Sequence, residues 1–151
     1  MVGFAKNVCS LPATEHHAIA GYPERSFVVP NPVVHFEIMG ADGSALQSFY
    51  RDLFGWKITT DNAWQYGMVE TGGEGGIDGG IAGNPDGATN GRVTVYASVD
   101  DLQAYLDKAE RLGAKVVMPA TPMGDFAIAM FADPAGNITG LTGPLAQAGG
   151  D

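Results

Sequence analysis

The sequence has little basic charge, a single cysteine and no long apolar run. Its 151 residues include 8 Lys and Arg against 17 Asp and Glu, which gives a formal net charge of −9. An acidic surface repels nucleic-acid phosphates and anionic lipid headgroups, so we expect neither nucleic acid nor a membrane as a partner. No apolar run approaches the roughly 18 residues that cross a bilayer, and the N-terminal segment lacks the apolar core of a secretory signal. Because Cys9 alone cannot form an internal disulfide, these absences together predict a cytoplasmic protein.

The composition is otherwise that of one globular domain, with 45% hydrophobic residues and 22 glycines. Glycine is about twice as frequent as the usual roughly 7%, which favours a strand-rich fold with many turns. Residues 1–31 show no sustained periodicity and are predicted to form an arm, residues 32–145 a single domain, and residues 146–151 a flexible tail. In the arm, His16 and His17 are adjacent and would face different ways on a helix or strand, so we interpret them as solvated side chains.

The domain begins with a strand of alternating character. Val34, Phe36 and Ile38 share one face, and His35 and Glu37 share the other. A helix follows, capped by Asp42 or Ser44 and ended by Gly55. Its apolar stripe, predicted to face the core, consists of Leu46, Phe49, Tyr50 and Leu53. Three strands are predicted after it, over residues 56–60, 63–70 and 79–82.

The same order of elements then starts again at residue 92. A second alternating strand places Val93, Val95, Ala97 and Val99 on one face and Thr94, Tyr96 and Ser98 on the other. Asp100 is predicted to cap the second helix in a capping box with Gln103. The apolar stripe of this helix consists of Leu102, Tyr105, Leu106 and Ala109. Strands are predicted over residues 115–118, 126–131 and 138–142, the last two joined by a tight turn at 133–137.

The chain is therefore an internal repeat. An offset of 58 residues places Asp42 on Asp100, Gly55 on Gly113 and Lys57 on Lys115. Each half has the order strand, helix, strand, strand, strand, and one such unit leaves a sheet face uncovered. We expect an α+β fold of two βαβββ modules, residues 33–84 and 91–143, that form one cupped mixed sheet with helices on the outside.

Three stretches carry a resemblance to a known family: VVHFEI followed by SALQSFYRDLFGWKI, then VTVYASVDDLQAYLDKAERLGAKVV, then FADPAGNITGL. In this order they resemble the vicinal oxygen chelate superfamily of glyoxalases, bleomycin-resistance proteins and extradiol dioxygenases. The resemblance covers residues 33–143 and implies the same two-module fold. In the metalloenzymes of the family a divalent ion is held in the cup by His, Glu or Gln side chains from both modules.

This chain departs from the ligand pattern that the resemblance implies. His35 matches the ligand position of the first strand, but the second module has Thr94 there. The closing strands have Gly83 and Gly140 where the family carries glutamate. Glu37 adds one further donor beside His35, which leaves too few donors for a usual catalytic metal site. We therefore expect no cofactor, a divalent metal at His35 being the alternative, and we expect the glycines to leave space for a bulkier ligand.

Strand alternation selects the side chains that line the cup. His35, Glu37 and Tyr96 are the candidates for acid–base chemistry. Residues of aromatic, sulfur-containing or hydroxyl type are the candidate ligand contacts: Trp56, Trp64, Tyr66, Met68, Thr94, Ser98, Met118 and Met130. For each aromatic residue, core packing is the competing interpretation, and for His35 and Glu37 it is a structural hydrogen-bonded pair.

Three functions remain open at this point. The first is a protein that binds a small organic molecule, cationic in view of the net charge, in a cup without metal. The second is a metal-independent lyase, isomerase or cyclase that uses His35 and Glu37 as acid and base. The third is a metal-dependent lyase or dioxygenase. The family resemblance also implies a homodimer.

Overall fold

The computed structural model of the protein describes residues 30–145. Cys9, His16 and His17, the tail 146–151, and all of the predicted arm except its last two residues lie outside this range. The elements are β1 (Val33–Gly40), α1 (Gly43–Phe54), β2 (Lys57–Thr59), β3 (Gly67–Glu70), β4 (Gly79–Gly83), β5 (Arg92–Ser98), α2 (Leu102–Arg111), β6 (Lys115–Met123), β7 (Phe126–Ala132) and β8 (Ile138–Pro144). The predicted order of elements is confirmed in both modules.

The eight strands form one mixed sheet in the order β2-β3-β4-β1-β5-β8-β7-β6. In each module the first strand pairs in parallel with the last, β1 with β4 and β5 with β8. The modules are joined at the centre by the antiparallel pair β1 and β5. The α+β class and the two βαβββ modules are thus confirmed. The strand that was predicted from residue 63 begins only at Gly67, because Asn62 folds the residues before it into a turn.

Both helices lie on the same face of this sheet. On the first module, the side chain of Leu46 lies over Gly40 and that of Gln47 lies over Gly67. On the second module, α2 buries Leu102 and Leu106 against β7 and β8 in a core cluster. We call the other face, which neither helix covers, the open face. Since side chains alternate along a strand, His35 and Glu37 project from the open face.

The N-terminal cap of α1 was predicted correctly and its buried side was not. Asp42 accepts a hydrogen bond from the Ala45 backbone N–H, and Gly55 ends the helix in the left-handed conformation. The predicted core residues Phe49 and Leu53 are both 56% exposed, whereas Gln47 is only 6% exposed. The reason is a polar contact: the Gln47 side-chain amide donates to the backbone carbonyls of Gln65 and Ile81, at 3.0 and 2.8 Å.

In α2 the buried side was predicted correctly and the N-terminal cap was not. Leu102 and Leu106 are buried as predicted. The cap is Asp101 and not Asp100, because it is the Asp101 carboxylate that accepts the Ala104 N–H, at 2.9 Å. Since α2 begins one residue later than predicted, the capping box on Asp100 was wrong.

The helix side of the sheet is left uncovered at its centre, between α1 and α2. Ile38 on β1 is directly opposite Val93 on β5 in the strand register, and Val93 is 66% exposed. Val34 and Val95 lie on the same side and are also exposed. We call Val34, Ile38, Val93 and Val95 the central apolar surface.

Candidate functional site

Four polar side chains meet on the open face where β1 and β5 join. The Tyr96 hydroxyl donates to Glu37 Oε2 at 2.6 Å, and the Tyr66 hydroxyl donates to Glu37 Oε1 at 3.2 Å. The same Tyr66 hydroxyl lies 3.0 Å from His35 Nε2. We call His35, Glu37, Tyr66 and Tyr96 the Glu37 cluster. The structure brings together all three residues predicted for acid–base chemistry, and adds Tyr66 from the predicted ligand contacts.

Local sequence explains how each member reaches this point. His35 and Glu37 alternate with apolar residues along β1, and His35 is paired with Tyr96 across β5. Tyr66 comes from the turn before β3. There the Asn62 side chain accepts the Tyr66 N–H at 3.0 Å and donates to the Tyr66 carbonyl at 2.7 Å. Gln65 in this turn has a φ of 52°, a conformation that non-glycine residues rarely adopt. A fixed turn therefore directs Tyr66 onto the open face.

Two glycines make room for the tyrosine rings. Gly80 on β4 is the neighbour of Glu37 in the strand register, and a methyl group placed on it would overlap the Tyr66 ring. Gly140 on β8 is the neighbour of Tyr96, and a methyl group there would overlap the Tyr96 ring. The expectation that small glycines leave space for a ligand was therefore wrong at Gly140, because a tyrosine of the chain itself fills that space.

The predicted position of the first glycine was also wrong. Gly83 is paired with Gly40 at the far end of β1, three residues along β4 from Gly80. Gly80 and Gly83 are three residues apart and therefore face opposite sides of the sheet. Which of them lies on the open face depends on the register of β4 with β1, and the sequence alone does not give that register.

Burial and nearby charge shift the pKa values of His35, Tyr66 and Tyr96. Burial lowers the pKa of His35, an effect that the nearby carboxylates of Glu37 and Asp78 partly oppose. Burial also raises the pKa values of Tyr66 and Tyr96 far above their usual range, and the Glu37 carboxylate raises them further. Both phenols therefore keep their protons near neutral pH and remain hydrogen-bond donors.

The donor set does not fit the divalent ion that the family resemblance implies. Two of the four ligand positions are glycines without any donor atom, and His35 Nε2 is hydrogen-bonded to Tyr66. Within residues 30–145 no group of three or more His, Cys, Asp or Glu side chains is placed to hold a metal ion. Three or four convergent donors are the usual requirement for zinc and related ions.

The other predicted contact residues divide into two groups. Strand registers place Met68 beside Gly80, and Met130 between Gly140 and Met118, so methionines flank the cluster on both sides of the open face. Thr94 lies beside Glu37 and is buried, and Ser98 follows Tyr96 on the same face of β5.

The two tryptophans do not join the cluster. Trp56 stacks on Tyr50 of α1 and contacts Phe36, so it lies on the helix side of the sheet and its predicted place in the cup was wrong. Trp64 is 80% exposed in the Asn62 turn. Two residues that matter were not identified from sequence: Gly80, which accommodates the Tyr66 ring, and Asp78, a charge beside His35.

Comparisons with known proteins agree with this architecture. The family model described as "Glyoxalase/Bleomycin resistance protein/Dioxygenase superfamily" matches residues 33–140, and the chain belongs to this superfamily. The chain is 34% identical over 113 residues to a protein of Mycobacterium tuberculosis and Mycobacterium bovis named "Putative glyoxylase CFP32". That match covers 70% of this chain, and the chain spans only 42% of the length of those relatives.

Solved structures of similar fold include an epimerase and a member of the same superfamily. Methylmalonyl-CoA epimerase from Mycobacterium tuberculosis is 16% identical with a TM-score of 0.57, over 74% of this chain and 87% of the epimerase. A glyoxalase/bleomycin resistance protein/dioxygenase superfamily member from Vibrio splendidus is also 16% identical, with a TM-score of 0.55, over 76% of this chain and 99% of its own. At this identity the likeness shows the fold alone. Neither helix of the described range has the length and apolar character that a membrane crossing requires.

Proposed function

We propose that the chain binds a small organic molecule on the open face and transfers a proton to and from it without a metal, as an isomerase or lyase does. One observation carries this proposal: Glu37 is a carboxylate at the centre of the open face that accepts hydrogen bonds from two phenols, and one of these phenols, Tyr66, is also hydrogen-bonded to the His35 imidazole. A general base of this kind contributes about 10²–10⁴-fold to a proton-transfer rate.

Glu37 is the residue we assign as the base. Each of its oxygens accepts one phenol hydrogen bond, and each keeps a second lone pair for a substrate proton. The phenols also fix the orientation of the carboxylate, which keeps it in place for the reaction. Met68 on one side, and Met118 and Met130 on the other, would contact the apolar parts of the substrate.

The substrate class that suits this site is a compound with an acidic C–H bond beside a carbonyl group. Removal of that proton needs a positioned base, and return of a proton to the opposite face of the carbon gives the isomer. The name of one structural neighbour, methylmalonyl-CoA epimerase, describes an isomerase and is consistent with this class.

Deuterium exchange tests the proposal. The full chain would be incubated in D₂O with methylmalonyl-CoA and with a panel of acyl thioesters and 2-oxo acids, and loss of the C–H signal followed by proton NMR. We expect exchange with at least one probe. In Glu37→Gln the exchange rate should fall by at least about 100-fold. Glu110→Gln, an exposed residue of α2, is the matched control and should not change the rate. Equal rates in Glu37→Gln, or no exchange with any probe, would contradict the proposal.

Binding without turnover is the second candidate, and the charge of the site favours it. A carboxylate next to the rings of Tyr66 and Tyr96, on a chain with a net charge of −9, suits an organic cation. Titration calorimetry with benzyltrimethylammonium tests this function. We expect binding by the wild-type chain. Glu37→Gln should bind at least about tenfold more weakly because the charge contact is lost, and a tenfold change in Kd corresponds to about 1.4 kcal/mol. Equal affinity in both would contradict it.

The homodimer that the resemblance implies is also part of the proposal. The central apolar surface supports it, since exposed apolar patches of this kind mark protein contacts. Val93→Glu places a charge at its centre, and Val117→Glu, on an exposed valine of β6, is the control. Light scattering should give a dimer for the wild type and the control and a monomer for Val93→Glu. A monomeric wild type would contradict the proposed dimer.

A further inference from the structure

The Tyr66 hydroxyl has two partners but only one proton. It lies 3.2 Å from Glu37 Oε1 and 3.0 Å from His35 Nε2. When it donates to the Glu37 carboxylate, the His35 nitrogen must donate to the Tyr66 oxygen, which requires the Nε2–H tautomer of the imidazole. When Glu37 is protonated and donates to Tyr66, the hydroxyl is free to donate to His35, which requires the Nδ1–H tautomer. The hydrogen bonds of Tyr66 therefore couple the two groups. Ionised Glu37 requires the Nε2–H tautomer of His35, and protonated Glu37 requires the Nδ1–H tautomer.

We propose that Tyr66 is a relay that connects Glu37 to solvent through His35. The inference rests on the proposed function, in which Glu37 carries the substrate proton. It assigns Tyr66 a positioning role, because Tyr66 acts through Glu37 and does not itself react with the substrate.

The transfer is balanced without any other reactant. A solvent proton forms a bond at His35 Nδ1, and the proton on Nε2 passes to the Tyr66 oxygen. The Tyr66 proton passes to Glu37 Oε1, so the Tyr66 O–H bond is broken and remade. The imidazole changes tautomer and is neutral before and after the transfer, and no group is oxidised or reduced. In reverse, the same steps release to solvent a proton that Glu37 has taken from a substrate.

The surroundings of His35 suit this role. Within residues 30–145, Nδ1 has no hydrogen-bond partner, and the ring is only partly buried, which leaves Nδ1 open for exchange. The groups that face His35 are the Glu37 and Asp78 carboxylates and the Tyr66 and Tyr96 phenols. The two carboxylates stabilise a passing positive charge on the ring, and burial favours the neutral ring before and after.

The test is a double-mutant cycle read by ¹⁵N NMR of the histidine ring nitrogens near neutral pH, in the full chain and without substrate. His35→Asn identifies the resonances of His35 among those of the three histidines. Gln has the donor and acceptor pattern of a protonated Glu, since its carbonyl can accept from Tyr96 while its amide donates to Tyr66. We therefore expect the Nε2–H tautomer in the wild type and the Nδ1–H tautomer in Glu37→Gln.

In the Tyr66→Phe background the relay is absent, and Glu37→Gln should no longer change the tautomer. Glu37→Leu gives a second measurement if Glu37→Gln does not fold, and should also favour Nδ1–H because Tyr66 then has only His35 as acceptor. Tyr50→Phe and Glu110→Gln are controls that should leave the tautomer unchanged. The same tautomer in the wild type and Glu37→Gln, or a change that persists without the Tyr66 hydroxyl, would overturn the inference. Since no substrate is used, this result is independent of the deuterium-exchange assay.

Discussion

The fit between Gly140 and the Tyr96 ring yields a prediction whose size can be worked from the structure. Gly140→Ala adds one methyl group where the ring of Tyr96 already lies. The backbone at Gly140 is not in the left-handed region, so alanine adds no backbone strain and the effect isolates the steric overlap. The ring cannot move aside freely, because Tyr96 is buried and its hydroxyl is hydrogen-bonded to Glu37.

Two terms set the magnitude. Overpacking by one methyl group in a close-packed region costs about 1–3 kcal/mol. If the ring shifts to relieve the overlap, its hydrogen bond to a charged carboxylate is weakened, and such bonds contribute about 1.5–3 kcal/mol. Because the chain takes whichever response costs less, we expect Gly140→Ala to reduce the free energy of unfolding by about 1–3 kcal/mol.

Urea denaturation with linear extrapolation measures this loss in two backgrounds. In Tyr96→Ala the ring is absent, so adding Gly140→Ala should cost less than about 0.5 kcal/mol, and the difference between the backgrounds is the coupling energy. Gly73→Ala is the control, because nothing lies near its added methyl group and its φ is ordinary. An equal loss in both backgrounds, or none in the wild type, would refute the claim that Gly140 is required by the Tyr96 ring.

Three further predictions concern stability. Gln47→Leu leaves two carbonyls without their donor and should cost about 2–4 kcal/mol in urea denaturation, whereas Gln103→Leu on exposed α2 should be near neutral; a neutral Gln47→Leu would contradict the polar anchoring of α1. Asp101→Ala should cost about 1 kcal/mol as a lost helix cap and Asp100→Ala much less, and the opposite ranking would restore the original cap assignment. Burial lowers the pKa of His35 below its ordinary 6.5, so the unfolded chain binds more protons as the pH falls and stability is lost below about pH 6.5. His35→Asn should lose less stability over that range, and an equal loss would show that His35 is not the group responsible.

Much of the fold follows from local chemistry that a sequence displays. Glycines at 55 and 113 end both helices in the left-handed conformation, and alternation along β1 places His35 and Glu37 on one face. Asp133 accepts the backbone N–H groups of Ala135 and Asn137 and so closes the predicted turn. Each of these features depends on residues fewer than five positions apart.

What could not be predicted depends on contacts between distant elements. Phe49 and Leu53 have the spacing of a buried helix face, but α1 packs over a region where Gln47 is needed as a donor to the carbonyls of Gln65 and Ile81, at 3.0 and 2.8 Å. The helical spacing of apolar residues predicts which face is hydrophobic, but it gives no information about hydrogen bonds to distant strands.

The candidate site shows the same division. The alternating strands correctly indicated the open face of His35, Glu37 and Tyr96. The role of Gly80 depended on the parallel register of β1 and β4, and that of Tyr66 on a turn fixed by Asn62. Neither has a signature within a short window of sequence.

The pairing of β1 with β5 has a consequence for how the chain acquires its site. The hydrogen bond between Tyr96 and Glu37 joins two residues that are 59 positions apart and that belong to different modules. Each module can form its helix and its outer strands from closer segments, whereas central pairing must close a long loop, which slows folding. During folding, a species with both modules formed but not yet joined would have its full helix content and would lack the hydrogen bond from Tyr96 to Glu37. Recovery of the helical circular-dichroism signal should thus precede formation of the Tyr96–Glu37 hydrogen bond, and the delay would measure the time that the two halves take to join.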